Sequence, residues 1–458
     1  MLSKNTERLG TAPLGKLLLR LSLPGVASMI TMSLYHLADA FWVAKLGYQA
    51  IAAMTIIFPY FVLAIAVGVG SGVGANALAS RRFGERNIEA TNQVAGQVFS
   101  LCAIFGIIFL LAATFFAKPI LIISGATADV MDFAVQYLVI LGWSIPFFFF
   151  RLMTANVFRA SGDAIKPMIF GIVGSVVNII LDPFLIFGWG PFPEMGIRGA
   201  ALATVIASLF GAGLSLYYLV AHKSVYRLKL QHLKPNLTIL REIYRVGTPA
   251  ILMEGTGSVV VALFNNVLAR YGSVALATIG IAGRIADLAF MPIIGASHGL
   301  LPVVGFCLGA HLWHRLWRAV RLTSVALVII MGISTVILEI FAPQTIAIFS
   351  QNPKLLEIGV PAMRIFMSTM ILVGPEIAII TTFQGLSKGR EAMILSLVRQ
   401  FIFFVPALYL LPQVLGITGV WLSIPISDIL AFVVTLLWIL REYQVQKRSG
   451  EWDTNSPC

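Results

Sequence analysis

The chain has 458 residues, of which 58% are hydrophobic and only 11% charged, and its mean hydropathy is +0.90. This composition excludes a water-soluble globular domain, in which about 25% of residues are charged. The formal net charge of +12 would suit a nucleic-acid-binding surface only if the basic residues clustered on a soluble domain, so we expect no nucleic-acid partner.

Apolar segments of about 20 residues or more recur along the whole chain, and that length is what a helix needs to cross a bilayer. We number them spans 1 to 12 in chain order: residues 16–45, 49–79, 88–117, 130–157, 165–188, 197–221, 240–269, 273–308, 318–341, 355–385, 391–411 and 417–440. The sequence therefore predicts an all-α polytopic membrane protein with twelve transmembrane helices, for which the lipid bilayer is a partner.

The basic residues are distributed unevenly between the two sides of the predicted spans. If the N-terminus is inside, 23 of the 32 Lys and Arg residues lie on the cytoplasmic side. Five lie outside: Lys45, Lys118, Arg198, Arg270 and Lys354. Because short cytoplasmic loops carry an excess of Lys and Arg, this asymmetry predicts that both termini are cytoplasmic.

The second half of the chain repeats the first at an offset of 225 residues. The pairs that align include Pro24 with Pro249, Gly47 with Gly272, Gly84 with Gly309 and Phe158 with Phe383. Six spans per repeat insert both copies in the same sense, which predicts two pseudo-symmetric six-helix bundles with a substrate cavity between them. We predict an N-terminal lobe at 14–222, a basic cytoplasmic linker at 223–240 that lies on anionic lipid, a C-terminal lobe at 241–442 and a cytoplasmic tail at 443–458.

Four polar residues lie at a similar depth in three spans of the first half: Asp39 in span 1, Asn178 and Asp182 in span 5, and Thr204 in span 6. Asp39, Asp182 and Thr204 are six to eight residues from the outer ends of their helices, or roughly 9–12 Å at about 1.5 Å per residue. Asn178 lies one turn deeper and on the same helix face as Asp182. The pattern predicts a single site built from three helices.

A buried carboxylate costs about 2.5–3.5 kcal/mol in a membrane helix and is therefore typically functional. Two carboxylates, an amide and a hydroxyl suit a shared proton or a hard cation such as sodium, not a soft metal. The alternative is that Asp182 only satisfies backbone groups released by Pro183. In span 1, Pro24 removes a backbone hydrogen bond and is a candidate hinge.

The second half has lost these polar residues. Asp39 aligns with Phe264, Asn178 with Phe403 or Val405, Asp182 with Ala407 or Tyr409, and Thr204 with Ile424. We therefore expect ion coupling in the first half alone.

Other polar residues within the spans are candidates for substrate contact. They are Tyr35, Tyr137, Asn156, Glu254, Arg284, Asp287 and Glu376. For the charged ones, structural pairing is the alternative, and Arg284 and Asp287 are close enough in sequence to neutralise each other. Arg364 and Glu376 are about 18 Å apart along their span and are not expected to pair. Asp428 has no obvious local partner.

Three motifs give the chain a resemblance to a known family. They are Phe158-Arg-Ala-Ser-Gly-Asp163 followed by Pro167-Met168, Asn178-x-x-x-Asp182, and Gly196-x-x-Gly199-Ala200-Ala201-x-Ala203-Thr204. With the repeat, they resemble the multidrug and toxic compound extrusion (MATE) family over residues 14–442. Asp39 with the Asn/Asp pair resembles the damage-inducible prokaryotic branch. In the sodium-coupled branch, acids on spans 7 and 10 are prominent. Here Glu254 matches the first, whereas the second position is Val373 or Gly374, with Glu376 nearby.

The resemblance implies a secondary active antiporter that exports organic, often cationic, drug-like molecules in exchange for protons or sodium ions by alternating access. It implies that the Ala200 carbonyl joins Asp39, Asn178, Asp182 and Thr204 in the cation site, and that Pro24 lets span 1 bend. It also implies a small-molecule substrate, no cofactor, a monomer and a prokaryotic inner-membrane location.

Three other functions compete with an antiporter. A lipid-linked oligosaccharide flippase of the same wider superfamily is the alternative, because Arg284, Arg364 and Arg399 could neutralise a pyrophosphate. An enzyme is not expected, since His36 and His298 have no nucleophile motif beside them. A channel is disfavoured because the two halves contain no filter-like loop.

Overall fold

The protein is all-helical in its computed structural model, which describes residues 3–221, 223–349 and 352–448. Nine of the predicted spans are single helices with these bounds: Leu14–Ala44, Tyr48–Gly84, Ile88–Phe115, Ile165–Phe187, Ile197–Val220, Leu237–Ala269, Ser273–Gly309, Trp313–Ile340 and Ile417–Arg448. No strand occurs within those described ranges. Shorter helices are Lys4–Thr11, Ala117–Ile123, Ala342–Ala347 and the 3₁₀ turn Leu230–Leu233.

The other three spans are interrupted. Span 4 consists of Ala128–Gly142 and Ile145–Ala160, which meet at 51°. Span 10 consists of Pro353–Met367 and Met370–Gly385, with a bend of 42°. Span 11 is Gly389–Leu397, a π-helical stretch Val398–Phe404, and Val405–Leu415. With each bent pair counted as one span, the described residues hold twelve helices that are long and apolar enough to cross a membrane. The predicted fold class is confirmed.

The repeat is visible in the backbone as well as in the sequence. Gly47 ends the turn between spans 1 and 2 with φ 107°, and its counterpart Gly272 ends the turn between spans 7 and 8 with φ 92°. A side chain would be strained at such φ values. This explains why both positions are glycine.

The contacts of the chain divide it into two compact units. Unit 1 comprises Met1–Arg8 and Ala27–Ile251, and unit 2 comprises Leu9–Val26 and Leu252–Cys458. The divisions therefore fall inside spans 1 and 7, two residues after Pro24 and two residues after Pro249. The predicted lobe boundaries at 222 and 241 describe the repeat and stay a prediction.

In unit 1, glycines of span 2 accommodate the first part of span 7. A Cβ atom on Gly74 would lie 2.2 Å from the Ile243 carbonyl oxygen, and one on Gly70 would lie 2.8 Å from the Gly247 carbonyl oxygen. Small residues let helix backbones approach this closely. The helical position of the span 2 glycines also rules out a dinucleotide-binding loop, which would need a preceding strand.

Unit 2 contains the matching arrangement at an offset of 225 residues. A Cβ atom on Gly295 of span 8 would lie 2.9 Å from the Ser22 carbonyl oxygen and 2.8 Å from the Val26 backbone nitrogen. Gly299 approaches Ser22 in the same way. Each unit thus packs a stretch of the other half's first helix against a pair of glycines.

The linker is fastened to span 3 by hydrogen bonds. The Gln97 amide donates to the carbonyl oxygens of His232 at 3.0 Å and Lys234 at 2.8 Å, and the Arg227 backbone N–H donates to Asn92 Oδ1 at 2.9 Å. Tyr226 is buried and donates its hydroxyl to the Val157 carbonyl, and burial raises the pKa of this phenol above its usual range. The linker is therefore hydrogen-bonded to spans 3 and 4 and is not only a surface segment.

Candidate functional site

Spans 5 and 6 are held together at their connecting turn. Gly188 ends span 5 in the left-handed region with φ 68°. The Met195 and Gly196 backbone N–H groups then donate to the Leu185 and Ile186 carbonyls at 3.1 and 3.0 Å. A Cβ atom on Gly199 would lie 2.2 Å from the Leu185 carbonyl oxygen. This close approach fixes the polar residues of the two helices relative to each other.

Asn178, Asp182 and Thr204 form one hydrogen-bonded group between these helices. Asn178 and Asp182 are completely buried. With the amide oriented to satisfy both of its ends, Asn178 donates to Asp182 Oδ2 at 3.1 Å and accepts from the Thr204 backbone N–H at 3.2 Å. The Thr204 hydroxyl donates to the Ala200 carbonyl at 3.2 Å. The structure thus brings these four predicted site residues together.

Asp39 of span 1 interacts electrostatically with Asp182 of this group. Its side chain is 3% exposed, and it lies near enough to Asp182 for the two carboxylates to interact electrostatically. Among the described residues, neither Asp39 Oδ1 nor Asp182 Oδ1 has a hydrogen-bond partner. Buried polar atoms normally have partners. Two orphaned carboxylate oxygens therefore fit a proton or a hard cation.

The alternative interpretation of Asp182 finds no support in the hydrogen bonds. Span 5 continues as one helix through Pro183 to Phe187. The only partner found for the Asp182 carboxylate in the described part of the chain is Asn178. The carboxylate does not satisfy backbone groups released by the proline.

Two tyrosines complete the surroundings of the acids. Tyr35 lies beside Thr204, and its phenol interacts with the charges of Asp39 and Asp182. Tyr137 is buried and interacts with the same two carboxylates and with Tyr35. Tyr35 and Tyr137, two of the candidates for substrate contact, therefore lie next to the two acids. Asn156 does not: it is buried against Gly72, and its amide donates to the Leu152 carbonyl at 3.2 Å.

Arg151 of span 4 was missed by the sequence interpretation. Its guanidinium lies near Tyr35, and its side chain passes the glycines of spans 5 and 6, with Cδ 2.8 Å from a Cβ built on Gly211. The available signal was an arginine within an apolar span, which is rare and typically functional. At the repeat offset of 225 residues, Arg151 corresponds to Glu376.

The corresponding region of unit 2 is apolar, as the repeat predicts. Phe264, the counterpart of Asp39, is buried in a cluster with Phe404, Leu408 and Trp421. The ring centroids of Phe264 and Phe404 are 5.7 Å apart. Val405 and Ile424, which align with Asn178 and Thr204, pack against this cluster. No carboxylate occupies this region in the described residues.

The four charged residues of unit 2 that the sequence offers for substrate contact do not form one group. Glu254, Arg284 and Asp287 are exposed on the surface of the unit, whereas Glu376 is completely buried. Arg284 and Asp287 interact through their charges. Arg364 lies 3.9 Å from Glu339, which confirms that it does not pair with Glu376.

Asp428, for which the sequence indicates no local partner, is paired with residues that are distant in the chain. Arg399 Nη2 lies 2.8 Å from Asp428 Oδ1, and the Thr369 hydroxyl donates to Asp428 Oδ2 at 2.8 Å. Arg399 is on span 11 and Asp428 on span 12, 29 residues apart. Side chains that pair along one helix are three or four residues apart, so sequence spacing does not indicate this pair.

Known proteins resemble this chain along nearly its full length. The FAD transporter of Shewanella oneidensis is 28% identical over 445 residues, which cover 93% of this chain and 94% of that protein. The multidrug export protein MepA of Staphylococcus aureus is 26% identical over 435 residues, covering 94% and 95%. Crystal structures of MATE in the bent and straight conformations superpose with TM-scores of 0.92 and 0.91 at 27% identity, and cover 98% of this chain and 99% and 100% of theirs.

The MatE family model matches residues 24–184 and 249–410. These two matches cover most of the chain and coincide with the two copies of the repeat. They begin at Pro24 and Pro249, the two prolines that precede the divisions between the compact units. The protein is therefore a multi-pass membrane transporter that belongs to the MATE family.

Proposed function

We propose that this transporter exports organic small molecules in exchange for protons or sodium ions, and that the ion binds at Asp39 and Asp182. The observation that carries the proposal is the pair of buried carboxylates, each with one oxygen that has no hydrogen-bond partner in the described structure. MepA, a relative along the full length, is a multidrug export protein. Organic cations are therefore the first substrate class to test.

The physical reason for coupling is the cost of charge in this environment. Two neighbouring carboxylates cannot both stay ionised and unpaired in a low-dielectric site, so at least one binds a proton or shares a cation. An ion moving inward across the membrane releases about 2.3 kcal/mol per charge per 100 mV. That energy is available to drive export when the ion and the substrate bind in alternation.

The ligand set accommodates either ion. For sodium, the oxygen ligands would come from Asp39, Asp182, Asn178, Thr204 and the Ala200 carbonyl, a set typical of hard cations. For a proton, the two carboxylates suffice. The assignment to the damage-inducible branch is part of this proposal and favours the proton.

A flavin nucleotide is the second candidate substrate. One relative is an FAD transporter, and Arg151 offers a half-buried side chain whose guanidinium lies near Tyr35 and has no ion pair among the described residues. Guanidinium groups bind phosphates well. The flippase alternative loses two of its three arginines, because Arg399 pairs with Asp428 and Arg364 lies beside Glu339.

Transport into everted membrane vesicles tests the proposal. Vesicles with an acidic interior should accumulate an organic cation such as ethidium, because protons leaving the vesicle drive the substrate in. The same vesicles are assayed with sodium inside at equal pH, and with FAD as the second substrate. If neither gradient drives accumulation of either molecule, coupled export is contradicted.

The proposal includes the way span 1 moves. Pro24 lies inside the helix Leu14–Ala44, two residues before the division between the compact units, and structures of MATE exist in bent and straight conformations. A proline removes one backbone hydrogen bond and permits a kink. We infer that span 1 bends at Pro24 during transport.

The Pro24→Ala variant should restore the backbone hydrogen bond and favour the straight helix. We expect it to slow ethidium export about tenfold, the effect of a shift of roughly 1.4 kcal/mol between two conformers, while ethidium binding to the purified protein stays close to that of the parent. Pro59→Ala, a proline inside the helix Tyr48–Gly84, is the control and should leave the rate unchanged. Full export by Pro24→Ala would exclude the hinge.

The remaining parts of the proposal concern the cell. The bacterial relatives support a prokaryotic inner-membrane location, and the Lys/Arg asymmetry supports cytoplasmic termini. Cys458 and the end of the predicted tail lie outside the described residues. We propose that the transporter acts as a monomer, since the helix segments that the paired glycines of each unit accommodate come from the same chain.

A further inference from the structure

Unit 2 contains a group of two buried carboxylates and a half-buried arginine that the proposed function does not use. It consists of Glu376 on Met370–Gly385, Arg399 on the π-helical stretch Val398–Phe404, and Asp428 on Ile417–Arg448. We refer to these three residues as the triad. They connect spans 10, 11 and 12.

Within the triad the contacts are unequal. Arg399 donates to Asp428 Oδ1 from Nε at 3.0 Å and approaches the same oxygen with Nη2 at 2.8 Å. Its Nη1 is 3.8 Å from Glu376 Oε2, beyond hydrogen-bond distance. Neither carboxylate oxygen of Glu376 has a hydrogen-bond partner among the described residues, although the side chain is completely buried. Arg399 is therefore hydrogen-bonded to Asp428 and not to Glu376.

The charges of the triad do not balance when all three groups are ionised. Arg399 contributes one positive charge, and Asp428 and Glu376 contribute one negative charge each. The sum is one uncompensated negative charge in a buried site, which is costly. One proton on Glu376 removes this charge.

In the described part of the chain, no other charged group compensates for it. The helices Ser273–Gly309, Trp313–Ile340, Gly389–Leu397 and Ile417–Arg448 pack against the Glu376 helix. Of the charged groups on these elements and on the π-helical stretch, only Arg399 and Asp428 act on Glu376. Its own helix segment carries no second charge in the sequence from Met370 to Gly385.

The local backbone also sets the triad apart. A π-helical stretch is rare and frequently marks a functional site, and here it presents Arg399. Asp428 also accepts a hydrogen bond from Thr369, which lies at the 42° break of span 10. A change in the charge of Glu376 would therefore act directly on the irregular segments of two spans.

On the side toward Gly385, an apolar cluster covers the triad. Ile379, Ile380 and Phe383 of the same helix are buried there with Leu395 and Ile439. Glu376 lies nine residues before Gly385, which places it about 13 Å from that end of the helix. Water does not reach the carboxylate across this cluster.

We propose that Glu376 is a second proton-binding site, separate from Asp39 and Asp182. Its carboxylate takes up one proton from solvent to become a neutral carboxylic acid, and it releases the same proton to solvent when Arg399 moves toward it. A proton site at Glu376 would add ion binding in the second half, whereas the repeat-related positions of the cation site predict ion coupling in the first half alone. It extends the proposed ion coupling, but the experiment below observes the proton itself and does not depend on transport.

Infrared difference spectroscopy of the purified full-length protein tests this site, because a protonated carboxyl has a carbonyl band that the carboxylate lacks. In the Asp39→Asn/Asp182→Asn background we expect one buried carboxyl band that disappears reversibly as pH is raised. Adding Glu376→Gln should remove the band. Adding Glu357→Gln, at an exposed position of unit 2, should leave it unchanged.

A second variant tests the charge argument while Glu376 is kept. Asp428→Asn frees Arg399 to pair with Glu376, which favours the ionised carboxylate, so the titration midpoint of the band should fall by about 1–3 pH units. A merely structural Glu376 would show no titrating band in either protein. Size-exclusion chromatography at each pH verifies that the variants remain folded.

Three results would overturn the proposal. The first is a carboxyl band in the double-Asn background that survives Glu376→Gln, or no such band at all. The second is loss of the band when sodium chloride replaces choline chloride at constant pH, which would identify a metal-cation site. Ethidium at constant pH provides the third comparison, and loss of the band with ethidium would instead assign Glu376 to substrate binding.

Discussion

Asp39→Asn and Asp182→Asn transporters should each lose ion-driven export. The two carboxylates are buried, interact with each other and have one unpartnered oxygen each. Replacing one of them by an amide removes the charge that makes ion binding favourable, so the ion gradient no longer biases the transport cycle. In vesicles with an imposed gradient, we expect ethidium accumulation to fall to the level of vesicles that lack the transporter.

The matched control for this experiment is Glu254→Gln. Glu254 is an acid on span 7 whose side chain is exposed on the surface of unit 2. Its neutralisation should change the preference among exported substrates and leave the dependence on the gradient intact. If the Asp39→Asn/Asp182→Asn protein still exports against a gradient while Glu254→Gln does not, the coupling site is in the other half.

Gly199→Ala should destabilise the protein, although alanine normally stabilises a helix relative to glycine by about 1 kcal/mol. The new Cβ would lie 2.2 Å from the Leu185 carbonyl oxygen and 2.8 Å from the Ile186 backbone nitrogen. Backbone atoms of a packed neighbouring helix cannot move aside locally, so spans 5 and 6 must separate. Overpacking of this kind costs about 1–3 kcal/mol, and here it would also displace Thr204 from Asn178.

Gly213→Ala on the same helix is the control. A Cβ atom there meets nothing within 4 Å, so this variant should be as stable as the parent or slightly more stable. The apparent melting temperature of the purified proteins, followed by size-exclusion chromatography after heating, compares the two. Equal melting temperatures for Gly199→Ala and Gly213→Ala would show that the helices are not held by this contact.

Features that appear as a pattern along the chain, such as the spans and the repeat, could be predicted from the sequence. Span length follows from bilayer thickness, and the repeat follows from prolines and glycines at one offset. The contact of Asn178 with Thr204 was expected from depth, because two helices joined by a short turn keep residues at similar distances from that turn side by side. The functional roles of these residues stay predictions.

Features that depend on packing between distant helices could not be predicted. Arg399 lies in a π-helical stretch and pairs with Asp428 of the next span, and no periodicity in the sequence indicates that stretch. The docking of the linker depends on Gln97 and Asn92, which are polar residues inside an otherwise apolar span. Arg151, in contrast, could have been recognised as a candidate site residue from the sequence, because an arginine within an apolar span is rare and typically functional.

The division of the units within spans 1 and 7 has a consequence for how the two halves depend on each other. If the polypeptide were cut in the linker, the first fragment would keep Gly70 and Gly74 but lose Gly247 and its neighbours, which those glycines accommodate. The second fragment would likewise lose the segment that packs on Gly295. The start of each repeat's first helix therefore packs in the unit that contains most of the other repeat. Exchange of identical elements between two copies is the hallmark of a domain-swapped dimer, and in this transporter the two exchanging partners are joined in a single polypeptide.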